Sequence, residues 1–137
     1  MKYFLSCTLL LSLLAACGGG ADEVLSDADR LVAEMKAAEA DARALAAIDL
    51  RCTTTANCQV LGFRSADKVC GFSSYAAVSI LSASSKAAQE ATARNWAARS
   101  EYSQVTHELP VPCAAPRPDE GKPLCENAQC RIAPLLF

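Results

Sequence analysis

The chain has 137 residues, 13 basic, 15 acidic and one histidine, for a formal net charge of −2. That is one domain's worth of chain, and a mildly acidic sequence without a basic cluster lacks the electrostatic footprint of a DNA or RNA binder. Hydrophobic residues make up 52 %, but much of that is alanine, which buries little area, so so small a domain needs support beyond its core.

Lys2 and the apolar run Tyr3 to Ala16, broken only by Ser6, Thr8 and Ser12, open the chain. At about 1.5 Å per residue this run is too short to cross a hydrocarbon core of about 30 Å. It reads as the hydrophobic region of a signal peptide, residues 1–16. Its end, Leu14-Ala15-Ala16-Cys17, resembles the lipobox of bacterial lipoproteins. The resemblance implies cleavage before Cys17 and lipid (palmitate among its acyl chains) on Cys17 itself. Two or more acyl chains anchor a protein stably where one would not. A secreted chain cut at an ordinary small-residue site, or an uncleaved anchor, is the other reading. Residues 17–21, with Gly18, Gly19 and Gly20, then form a flexible tether. No Asp follows Cys17, which by resemblance to the sorting rule of enteric bacteria implies the outer membrane, with the domain facing the periplasm.

Of eight cysteines, Cys7 leaves with the leader and Cys17 is taken by lipid. Cys52, Cys58, Cys70, Cys113, Cys125 and Cys130 remain, an even set that in an exported domain (residues 22–137) implies three disulfides. Each is worth on the order of 2–5 kcal/mol. Their pairing stays open at this level: Cys70 and Cys113 bracket a predicted helix, and Cys125 with Cys130 would close a predicted hairpin.

From Asp22 to about Asp49 there is neither Gly nor Pro. Val24, Ala28, Leu31, Met35, Ala38, Ala42 and Leu45 recur at alternating steps of four and three, the stripe of a long amphipathic helix with Asp22 and Glu23 in its first turn. The stripe suits a second helix of the same chain; an intermolecular coiled coil is the alternative. Thr53 to Asn57 form a loop, Cys58 to Phe63 a strand, and Cys70 to Leu81 an extended or irregular stretch. Ser82, Ser84 and Ser85 are candidate caps for a second helix, about Ser84 to Thr106. On it Ala88, Ala91, Ala98, Tyr102 and Val105 share a face interrupted by Asn95, while Trp96 lies on a neighbouring face. The stretch from Glu108 to Pro123 carries five prolines and cannot be helix or central strand. A closing hairpin turns at Glu126 to Gln129, and Leu135, Leu136 and Phe137 are candidates to cover the core. The expected fold is α+β: two long helices packed on a small antiparallel sheet, stapled by three disulfides.

Residues 52–131, through "CTTTANCQVLGF", "CGFSSYAAVS", "ARNWAARSEY" and "CENAQCRI", resemble short exported six-cysteine bacterial proteins, often lipoproteins. Phe72 and Ser73 stand where such proteins tend to have Gly and Pro. The resemblance brings no activity with it.

Chemistry is sparse. Zinc sites favour paired short Cys spacings with His, which these cysteines lack, and there is no Cys-x-x-Cys for thiol exchange. His107, the sole histidine, falls at a helix end with no nucleophile elbow to serve. No catalytic residue, metal or cofactor is expected. Two features suit binding: Phe72 and Tyr75 on a loop fixed by Cys70, although a plug of the sheet–helix core is the favoured reading of these rings, and the disulfide-pinned loop with Thr54 and Asn57, although an ordinary turn is the favoured reading there. The expectation is therefore a non-enzymatic envelope module that binds an envelope or secreted protein, for example as an inhibitor or immunity factor against a hydrolase or toxin. A structural lipoprotein oligomerising through its first helix is the alternative.

Overall fold

The computed structural model describes residues 26–114 and 121–133. Ser26 lies in extended backbone, and its hydroxyl oxygen accepts the Asp29 amide at 3.1 Å, opening α1 (Asp27–Ala46). A serine cap of this kind stabilises a helix by about 1 kcal/mol. The helix thus starts later than expected, with Asp27 and Asp29 in its first turn; Asp22 and Glu23 lie outside the described residues. Leu31, Met35, Ala38, Ala42 and Ala46 are buried along one stripe. They face Ala88, Ala91, Asn95 and Ala98 of α2 (Ser85–Val105), and this helix pair is the most extensive contact in the fold. Arg30 with Glu101 and Asp41 with Arg94 bridge the two helices in antiparallel order. The small residues let the backbones approach, which is what an alanine-rich core can offer.

Ser84 begins α2, but its hydroxyl does not cap it: it donates to the Leu45 carbonyl at 2.8 Å, satisfying the end of α1. At the far end His107 takes φ 53°, its amide donating to Gln104 O and the Glu108 amide to Ser103 O. This is the left-handed helix stop usually given to glycine. His107 is exposed there, and the reversal brings Glu108 back onto Arg99, whose buried guanidinium donates to it at 2.7 Å and to Ser65 O at 3.0 Å.

Asn95 does not merely interrupt the α2 face. Fully buried, it donates through Nδ2 to Met35 O of α1 (3.0 Å) and to Arg64 O (3.1 Å), and it accepts the Arg64 amide through Oδ1 (2.9 Å).

The strand β1 (Cys58–Phe63) pairs antiparallel with β2 (Ser74–Ser79), with Leu61 opposite Ala76 and Gly62 opposite Tyr75. Leu61, Phe63 and Val78 point into the helix pair; the alternating residues Cys58, Val60 and Gly62 point the other way. On that second face lies a separate hairpin, β3 (Pro123–Glu126) with β4 (Gln129–Ile132), so the antiparallel part is two small sheets. The hairpin turn has φ 52° at Asn127 and 58° at Ala128, the arrangement that matches the twist of its strands. The architecture is α+β, with the β1–β2 sheet between the helix pair and the hairpin.

Three disulfides close the fold: Cys52–Cys125, Cys58–Cys130 and Cys70–Cys113. The bracketing pair Cys70–Cys113 forms as position suggested. Cys125 and Cys130 do not bond to each other, although they are register partners across the hairpin. Directly opposed residues project from one face, and that face lies on the Cys52–Cys58 segment, so each finds a separate partner. The Cys130 amide donates to Leu50 O and the Cys52 amide to Ala128 O, adding backbone bonds to the two bridges. Val24, Cys17 and the residues from Leu135 to Phe137 lie outside the described residues.

Replacing Asn95 with alanine strands the Arg64 amide and carbonyl in a dry site, and unpaired buried groups cost about 1–3 kcal/mol each. Urea unfolding of N95A with disulfides intact should show a loss of at least about 2 kcal/mol.

Candidate functional site

Gly62 permits what happens on the outer face of the β1–β2 sheet. A Cβ built there would stand 2.7 Å from the Phe72 ring, so Phe72 lies directly on the strand backbone. Trp96, from α2, reaches over the same place and donates its Nε1 to Gly62 O at 2.7 Å. The Phe72 and Trp96 rings stack at 5.7 Å with 26° between planes, and Tyr75 meets Phe72 edge-on at 5.6 Å. Arg64 places its guanidinium 5.7 Å from the Phe72 ring centre, a geometry favoured by the ring's negative face. Tyr75 in turn packs against Gly121, where a Cβ would come within 3.0 Å of the ring. The three rings form a row across the sheet, on the face away from the helix pair. Phe72 and Tyr75 therefore do not plug the sheet–helix core. They are half-buried, and Trp96 remains 45 % exposed.

Beyond Trp96 the surface continues into a cleft of about 410 Å³ whose walls include Val69, Arg99, Leu109 and Val111. Leu109 is 80 % exposed, and Val69 and Val111 about half. Single exposed apolar residues are ordinary, but several around one cleft mark an interaction surface. The cleft joins two irregular segments, one after β1 and one after α2, which the Cys70–Cys113 bridge holds together. Buried Arg99, with Glu108 and the Ser65 carbonyl, fixes its base.

The other expected surface is closed upon itself. Asn57 Oδ1 accepts the amides of Thr53 and Thr54, each at 3.1 Å, and the Thr53 hydroxyl at 2.8 Å. Thr55 Oγ1 accepts the Cys125 amide at 3.3 Å. The loop is a single 3-10 turn (Thr55–Asn57) tied down to the hairpin. Thr54 is exposed on it, but its hydroxyl too points to Asn57, at 3.4 Å. Asn57 organises the loop and has no free acceptor to offer.

The sulfurs of Cys52, Cys58 and Cys125 lie within 4.8 Å of one another. They belong to two adjacent disulfides and carry no thiolate to hold a metal. Nearby, Arg51 donates to Asp49 from Nε at 2.9 Å, from Nη2 at 2.8 Å and from its backbone amide at 3.0 Å. These bonds, the side-chain ones foremost, hold the Asp49 carboxyl down at about 2 from an ordinary 3.8.

No protein-family profile, curated protein or solved structure matches the chain, so the reading of this surface rests on its own chemistry. Phe72 and Tyr75 come together there; Thr54 and Asn57 lie apart from it. Trp96, Arg64 and Gly62 complete the surface and were not among the expected binding residues. Trp96 carried a signal in its place on the more polar side of α2, and Gly62 carried one as a glycine inside a strand, which marks a close approach.

Two outcomes follow. Gly62→Ala pushes Phe72 from the strand, costing about 1–3 kcal/mol by overpacking and shifting the emission of Trp96, the one tryptophan of the chain. In an NMR titration Asp49 should show its midpoint at about 2. Because its folded value is depressed, the stability it contributes is present above the ordinary carboxylate range and is lost as pH falls through about 2; Arg51→Ala moves the midpoint back up.

Proposed function

We propose that this chain is a lipid-anchored binding module of the bacterial envelope, without enzymatic activity, that docks a protein partner through the Trp96 surface. The observation that carries the reading is the half-exposed Trp96 stacked on Phe72 at the edge of an apolar cleft, braced by the Cys70–Cys113 disulfide. Binding energy concentrates at aromatic anchors in rigid surroundings, because a surface already ordered has less entropy to lose. An inhibitor or immunity factor for an envelope hydrolase or toxin is the kind of role such a module fills.

Three disulfides support an oxidising, extracytoplasmic setting. Lipid on Cys17, the outer-membrane address and the periplasmic orientation come from the lipobox resemblance and belong to the same proposal. Among the described residues no helix is long and apolar enough to cross a membrane. An oligomeric stalk built on the first helix is less well supported, because the apolar stripe it would use is already buried against α2.

The test joins two measurements on the chain expressed in a Gram-negative host. Palmitate label should enter the wild type and not Cys17→Ser. The wild type should retrieve a stoichiometric envelope or secreted partner that Trp96→Ala fails to retain. Retention of the same partner by Trp96→Ala would rule out this surface, and an unlabelled wild type would rule out the anchor.

A further inference from the structure

The β1–β2 sheet has two strands, so β1 has a free edge. The Ile80 amide donates to Asn57 O at 2.9 Å, and with Gln59 opposite Val78 and Leu61 opposite Ala76 this sets the alternation: odd-numbered residues exchange hydrogen bonds with β2. The even-numbered residues then turn their N–H and C=O groups outward. Trp96 confirms that direction by capturing Gly62 O. The N–H and C=O of Val60 and the N–H of Gly62 face the same side and have no partner among the described residues.

That edge is the floor of a cleft of about 440 Å³, walled by Ala93, Thr92 and Trp96 of α2 on one side and by Pro123 on the other. Unpaired edges invite strand addition, and proteins commonly blunt them with charged residues or proline. The strand Cys-Gln-Val-Leu-Gly-Phe, residues 58–63, contains neither. Asn95 holds the N–H and C=O of Arg64, so a segment seated along β1 leaves the edge at Trp96, which also lines the adjoining cleft where the Arg64 side chain lies. Arg30, Arg43, Arg51, Arg94, Arg99 and Arg131 each hold a carboxylate. Arg64 is the one arginine among the described residues that holds none. It is exposed, with its guanidinium held over Phe72.

We infer that the free edge of β1 receives an extended segment of a partner protein as a third strand, with small apolar side chains lying toward Ala93 and Trp96 and a carboxylate meeting Arg64. The backbone of the segment supplies the hydrogen bonds that Val60 and Gly62 lack, and its side chains supply specificity, the division of labour usual in strand addition. Charge complementarity at Arg64 selects an acidic segment over a basic one and sets its register. The inference rests on the binding-module reading and names its partner class.

The test uses the isotopically labelled full chain in nonionic detergent and three synthetic probes: acetyl-Thr-Val-Thr-Val-Thr-Asp-amide, the same peptide ending in Lys, and the Asp peptide N-methylated at alternate residues. The Asp peptide should change Trp96 emission saturably and slow amide exchange at Val60 and Gly62 at least about tenfold. The N-methylated peptide should do neither. Arg64→Glu should weaken the Asp peptide at least about tenfold and reverse the preference toward the Lys peptide. Unchanged Trp96 emission and unslowed Val60 exchange at about 1 mM probe, or equal binding of both charged peptides by wild type and Arg64→Glu, overturns the inference. Protection of Val60 that rises with protein concentration alone assigns the edge to a second copy and also overturns it. Capture of an envelope partner that survives Arg64→Glu and leaves Val60 unprotected would keep the binding-module reading and remove this one. Probe binding as described without any captured partner would do the reverse.

Discussion

Asn95 stands where α1, α2 and the exit from β1 meet, in a place that water does not reach, and every polar atom of its amide is engaged. Its neighbour Trp96 takes the carbonyl two residues earlier on the same strand. Two adjacent side chains of one helix thus grip the end of β1 by its backbone. Such bonds fix direction as well as distance. They hold the strand at one height against α2, leave Arg64 pointing outward, and set the rings of Trp96 and Phe72 in a stack beside Gly62. The aromatic surface is a consequence of that grip more than of any apolar packing beneath it.

The core could not have done this alone. Alanine supplies most of the helix interface, and among the described residues Phe63, Leu31 and Val78 are the largest apolar side chains that are fully buried. The disulfides supply what the core lacks. Cys52–Cys125 and Cys58–Cys130 sit side by side and lock the hairpin to the sheet, while Cys70–Cys113 stops the two irregular segments beside Trp96 from parting. Constraints of this kind act largely by shrinking the unfolded ensemble. They let a surface be rigid without demanding a large interior under it.

Much of the fold was legible from local pattern. The α1 stripe, β1 from Cys58 to Phe63, the closing hairpin and the second helix all announce themselves through periodicity and turn chemistry, because each depends on neighbours in sequence. What escaped depends on neighbours in space. Asn95 reads as a flaw in a helix face until Arg64 and Met35 are beside it. Cys125 and Cys130 read as one possible pair until the Cys52–Cys58 segment covers the face they share. Of the candidate site, the aromatic residues Phe72 and Tyr75 were visible, since few aromatics occur in the chain, but the side of the sheet they occupy was not. That choice turns on Gly62, whose missing side chain is what makes room for the Phe72 ring. Thr54 and Asn57 lie on the exposed loop for which they were singled out, and loop-internal hydrogen bonds join them there.

The disulfide order has a bearing on how the molecule matures. Two of the three bridges join cysteines 73 and 72 residues apart, and the cysteines closest in sequence, Cys52 with Cys58 and Cys125 with Cys130, belong to different bridges. In any oxidising compartment entered N-terminus first, Cys52, Cys58 and Cys70 arrive together, well before Cys125 and Cys130. An oxidase acting in order of arrival joins the wrong ones. Correct assembly then waits for the last hairpin to emerge and for the early bonds to be reshuffled by thiol exchange. A disulfide order of this kind makes correct assembly depend on thiol exchange as much as on the stability of the finished fold.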